Sequence, residues 1–107
     1  MHRDLQLTSG QAKEIDAIEQ RYFRHRIELR NRVTVANREL ADALMADMAF
    51  GREAQQAANH VEVGLGDLQR ATILYVLEVR DVLNPVQQVT YDRKVREVLT
   101  AAASPKS

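Results

Sequence analysis

The stretch IDAIEQRYFRHRIELRNRVTVANRELADAL, Ile15 to Leu44, decides the fold. Apolar or small residues recur at Ile15, Ile18, Tyr22, Leu29, Val33, Ala36, Leu40 and Ala43. This three-then-four spacing lines up one face of an α-helix. From Gln11 to Phe50 no proline or glycine interrupts it. Upstream, LTSGQ at Leu7 to Gln11 supplies the start signal. Thr8 is a good N-cap, and Gln11 three positions later can return a hydrogen bond to it, a capping box that predicts a helix beginning at Ser9. The result is one helix of roughly forty residues, about 60 Å long at 1.5 Å per residue. A helix that long must pair along its length.

Working outward, DMAFGRE at Asp47 to Glu53 ends the helix, and Gly51 is expected to permit a tight reversal. A second stripe then runs through Ala54, Ala57, Val61, Leu65, Leu68, Thr72, Tyr75, Val79 and Val82. Gly64 and Gly66 fall inside it, at about 1 kcal/mol each relative to alanine, which points to close backbone approach or a local bend. At Leu83 to Gln87 the opening cadence returns as LNPVQ. Asn84 caps a third helix, Pro85 occupies its first position and Gln87 stands where Gln11 stood. That helix carries Val86, Val89, Val95, Val98 and Leu99. The expected fold is all-α: a long antiparallel helical hairpin with a shorter C-terminal helix folding back on its open end. One domain is expected over residues 1–103, with a fraying tail at 104–107. So small a chain, built of long helices, is expected to complete its core as a dimer.

The 107 residues carry fifteen basic and fifteen acidic side chains, so no global field favours nucleic acid, and no aromatic residues are spaced for base stacking. There is no apolar run long enough to span a bilayer. The absence of cysteine excludes a disulfide framework and thiolate metal sites, and fits either a reducing cytoplasm or a periplasm. The polar start MHRDLQL does not read as a signal peptide. None of the phosphate-cradling, dinucleotide, zinc-protease or serine-nucleophile motifs occurs, so catalysis is not expected.

The repeated pentapeptide resembles the LTxxQ motif of the helical-hairpin superfamily that includes Spy, CpxP and ZraP. ANRELADAL at Ala36 to Leu44, GDLQRAT at Gly66 to Thr72 and YDRKV at Tyr91 to Val95 are similar to the CnrX-like periplasmic nickel and cobalt sensor domains of heavy-metal resistance systems. The likeness runs from about His2 to the end of the third helix. It implies a dimer of hooked hairpins, periplasmic and tethered to the inner membrane by an N-terminal helix that would lie before Met1. It also implies signalling to a membrane-bound anti-sigma factor when nickel or cobalt arrives.

The resemblance further implies a metal site of two histidines in the N-terminal segment, a glutamate early in the first long helix, and a histidine and a methionine four apart on the second. His2 matches the second of the N-terminal pair and Glu19 the glutamate, while Tyr75 and Val79 stand where the second-helix ligands would be. Residues at i and i+4 share a helix face, but a neutral phenol is a poor ligand and valine is none. His2 and Glu19 alone are expected to bind weakly, unless water or a partner chain completes the sphere. In the plainer reading Tyr75 and Val79 simply pack on the inward stripe, Glu19 is an interfacial carboxylate and His2 is solvated. His25 and His60 are isolated.

Arg21, Arg24, Arg26, Arg30, Arg32 and Arg38 form a basic stretch. It reads either as a docking face for acidic or unfolded clients, the chaperone role the Spy and CpxP likeness implies, or as arginines pairing with Glu62, Asp67 or Glu78 across the hairpin.

Overall fold

The computed structural model describes residues 5–103; His2 and the tail expected at 104–107 lie outside them. Three helices follow in order: α1, Ser9–Asp47; α2, Arg52–Val82; α3, Pro85–Ala103. The first two pack as a hairpin, and α3 is the shorter C-terminal helix. No helix among the described residues is long and apolar enough to cross a membrane.

The turn between α1 and α2 departs from expectation. No described glycine takes a positive φ; the left-handed residue is Met48, at φ 50°. Its N–H reaches back to the Leu44 carbonyl at 2.7 Å, closing the last turn of α1. Gly51 instead caps α2, its carbonyl accepting from the Gln55 N–H at 2.9 Å.

The chain forms two compact units that share the long helices. One takes the chain up to Glu19 and again from Leu74 onward; the other is Gln20–Ile73. In the first unit Leu5, Ile15, Ile18, Val79, Leu83 and Tyr91 form a buried cluster, with Leu7, Tyr75, Val76, Val82 and Val95 packed against it. Tyr91, Ile15 and Val79 are its largest fully buried side chains. The second unit buries Leu29 and then mostly small residues: Ala36, Ala43, Ala54, Ala57 and Ala71.

The α1 stripe is inward throughout, each of its residues being buried or half-buried. The α2 stripe slips at one point, where Leu65 is exposed and Gly64 is buried. A Cβ added to Gly64 would lie 2.7 Å from Val33 Cγ2, so the absence of a side chain is what lets the helices approach there, whereas one on Gly66 would meet nothing within 4 Å. The α3 stripe is the larger correction. Val86, Val89, Val98 and Leu99 are exposed, and the inward residues are Gln87, Tyr91 and Val95. These stand at i, i+4 and i+8, so an inward Gln87 fixes the phase of the helix.

Candidate functional site

Both pentapeptides form reciprocal capping boxes. The Thr8 N–H donates to Gln11 Oε1 at 3.0 Å and the Gln11 N–H to Thr8 Oγ1 at 3.1 Å. At the second copy, the Asn84 N–H donates to Gln87 Oε1 and the Gln87 N–H to Asn84 Oδ1, each at 2.9 Å. Each box satisfies backbone donors that the first turn of a helix leaves unpaired.

The two boxes are also partners of each other. Gln11 Nε2 donates to Gln87 Oε1 at 2.8 Å, and Gln87 Nε2 donates to Gln11 Oε1 at 3.1 Å. Gln11 Nε2 further reaches the Val82 carbonyl at 3.1 Å, just before the leucine of the second pentapeptide. Gln87 Nε2 reaches the Leu5 carbonyl at 3.0 Å and Gln6 at 3.4 Å, just before the leucine of the first. Gln6 sits at φ 52°, a left-handed turn that lies between the buried Leu5 and the pentapeptide. Both amides thus use their oxygen twice and both N–H groups, and a buried polar network is stabilising only when it is filled in this way. The boxes were legible one at a time; the repeat itself was the only sign that the glutamines meet.

About two helical turns beyond this joint lies the position of the expected metal ligands. Glu19 and Tyr75 are half-buried, and the Tyr75 hydroxyl donates to Glu19 Oε2 at 3.1 Å. Val79, one turn along the same face, is fully buried. Tyr91 lies in the same core and donates to the Val76 carbonyl at 3.3 Å. Burial pushes the Tyr91 phenol up to about 12, and the negative charges of Asp92 and Glu19 add to the rise. On the rim, Arg80 donates to Asp92 from Nε at 2.9 Å and from Nη2 at 3.1 Å, tying α2 to α3. That hydrogen bond holds the Asp92 carboxyl below the usual carboxylate range, with the charge of Arg80 adding to it.

The remaining histidines belong to the second unit and do not converge. His25 Nδ1 is 3.9 Å from Glu28 on its own helix, and His60 Nδ1 is 3.5 Å from Glu39 across the hairpin. An open groove of about 490 Å³ lies beside this pair, with Val35, Val63 and Gly64 in its walls. Asp67 pairs with Arg70 on its own helix at 3.5 Å rather than with an arginine of α1. Among the described residues no group of three or more histidine, cysteine, aspartate or glutamate side chains is placed to hold a metal ion. Nickel and cobalt need more nitrogen or oxygen donors than Glu19 alone supplies, so the described residues do not fit the site the resemblance implies.

Comparison with known proteins gives these features a context. The chain is 33% identical over 99 residues to the nickel and cobalt resistance protein CnrR of Cupriavidus metallidurans, a match covering 92% of this chain and 67% of that protein. The sequence pattern of the heavy-metal resistance family matches residues 1–89, taking in α1, α2 and the second capping box. With both matches spanning the hairpin and its joint, the chain belongs to the heavy-metal resistance family.

Proposed function

We propose that this domain is the periplasmic input module of a metal-resistance regulatory system, acting by binding and conformational change rather than by catalysis. The observation that carries the reading is the likeness to a nickel and cobalt resistance protein along 92% of the chain. In this reading the domain is held at the inner membrane and works as a homodimer. The exposed Ile73, Leu74 and Leu77 on α2 provide apolar surface for pairing. A ligand that binds one arrangement of the helices better than another shifts the population toward it, and a membrane-bound anti-sigma factor reads the shift.

The test is genetic. A reporter of nickel- and cobalt-induced transcription is followed in host cells with and without this gene, across a series of nickel and cobalt concentrations. Loss or constitutive release of induction on deletion supports the reading, and an unchanged induction curve sinks it. Sedimentation of the purified chain checks the dimer.

A second reading, a chaperone or envelope-stress module like Spy and CpxP, draws on α1, where exposed Arg24, Arg30 and Arg38 alternate with exposed Phe23 and Ile27. Such a face suits acidic, partly apolar segments. Salt-sensitive suppression of the aggregation of a denatured test protein would favour it over the regulatory reading.

A further inference from the structure

We infer that the joint between α1 and α2 at Glu19 is closed by the protein itself, through the Tyr75 phenol and the buried Val79, and that nickel and cobalt do not act through it. The inference rests on the regulatory reading above and narrows it: the trigger lies elsewhere than at this carboxylate.

The argument begins with the donors. Glu19 has Oε2 engaged by the Tyr75 hydroxyl at 3.1 Å. A phenol keeps its proton at neutral pH, so it donates to the carboxylate instead of standing beside it as a second ligand. One turn further, Val79 is fully buried and offers no donor atom. Beneath them the Tyr91 hydroxyl is committed to the Val76 carbonyl. A divalent ion at Glu19 would have to share the carboxylate with the phenol and would find no nitrogen donor from these side chains. Nickel and cobalt gain little from one shared carboxylate, so binding there is weak.

The same geometry says what the hydrogen bond does. A metal bridging two helices ties them only while it is present, whereas the Tyr75 to Glu19 hydrogen bond ties them without any metal. Because Tyr75 and Val79 are four residues apart on one helix face, the position has the geometry of a two-donor clamp, and only the identity of the two side chains closes it.

The test titrates cobalt chloride and nickel chloride into the purified chain and its variants, read by calorimetry, by cobalt absorption and by thermal unfolding. For the natural chain the isotherm is expected to match that of Glu19→Ala, so that any weak binding elsewhere survives the substitution. Tyr75→Phe is expected to lower the unfolding midpoint by about 4–8 °C without metal, and added metal should not restore it. Tyr75→His combined with Val79→His places two imidazoles beside Glu19 and is expected to bind cobalt about tenfold tighter or more than the natural chain. Circular dichroism checks that the double variant is folded; if it is not, the natural chain, Glu19→Ala and Tyr75→Phe still decide. Metal binding by the natural chain that is lost in Glu19→Ala overturns the inference. So does a folded double variant that binds no tighter, or a Tyr75→Phe chain as stable as the original. A metal-responsive reporter in cells beside a silent Glu19 in the purified protein would leave the regulatory reading standing and place the trigger at other residues.

Discussion

The two units are built from the same pair of helices by opposite means. In the first, large side chains are buried to the last few per cent, Tyr91 and Val79 completely, and a filled amide network spans the helix starts. In the second, alanines and a glycine line the seam while Phe23, Ile27, Val63 and Leu65 stay on the surface. Fully burying a large apolar side chain contributes about 1.5–3 kcal/mol, and an alanine much less. The first unit therefore concentrates the stability that one chain can generate for itself. The second gains close approach of backbones around small buried side chains. Amide exchange should expose this difference, with the slowest amides near Val79 and Tyr91 and faster opening among those around Ala57.

The largest expected effect comes from the centre of the first unit. Tyr91→Ala should cost about 3–5 kcal/mol in urea unfolding, because it empties a fully buried aromatic site and removes the tie to Val76. A loss below about 1 kcal/mol would mean the cluster is not the stability centre that the comparison makes it. The same residue gives an alkaline signature. Its folded pKa, about 12, is raised above the ordinary phenol value, so its contribution is fully present below about pH 10 and is lost as pH rises through 12. Absorbance of the phenolate should show one tyrosine titrating late, and Tyr91→Phe should abolish it.

Next in size is the amide network. Gln87→Ala strands the Gln11 side chain, the Asn84 N–H and the Leu5 carbonyl together, at an expected cost of about 2–3 kcal/mol. Gln11→Ala should cost a similar or smaller amount. The double variant should cost less than the sum of the two, since each glutamine is the other's partner. Strict additivity would show that the boxes act separately.

How far the sequence discloses this architecture depends on the residue. The α1 stripe is legible because its period holds from Ile15 to Ala43, about eight turns, with no competing signal. Ser9 as the first residue of α1 follows from Thr8 and Gln11 alone. The α3 face is misread because valines dominate the pattern while the side chains turned inward are a glutamine and a tyrosine. The phase is set by a hydrogen bond 76 residues away in the chain, which local periodicity cannot contain. Leu65 misleads for the opposite reason: a glycine beside it takes the inward place, and hydropathy gives glycine no weight. At the expected metal position, the loss of donors at Tyr75 and Val79 can be read from residue types, but the hydrogen bond that replaces them needs coordinates.

The second unit supplies a smaller and more pointed pair. Gly64→Ala gains about 1 kcal/mol of helix propensity but drives a methyl to 2.7 Å from Val33, a β-branched side chain with little freedom to move, and overpacking costs about 1–3 kcal/mol. A net loss of up to about 2 kcal/mol is expected. Gly66→Ala meets nothing and should stabilise by about 0.5–1 kcal/mol. Equal effects at the two positions would remove the argument that small residues set the spacing of this unit.

The smallest effect lies on the surface of the first unit, where the Arg80–Asp92 pair is partly open to water. Arg80 holds the Asp92 carboxyl below its unfolded value. A depressed carboxylate contributes above the ordinary carboxylate range, and that contribution fades as pH falls through the folded value. Asp92→Asn should therefore unfold slightly earlier than the natural chain at neutral pH and together with it once acid has protonated the folded carboxyl. Added salt should narrow the neutral gap, because an exposed pair is screened. A gap that persists in both acid and high salt would mean that Asp92 acts by packing α3 against α2, and the contrast between a buried network and a solvent-weakened rim would then fail within the first unit.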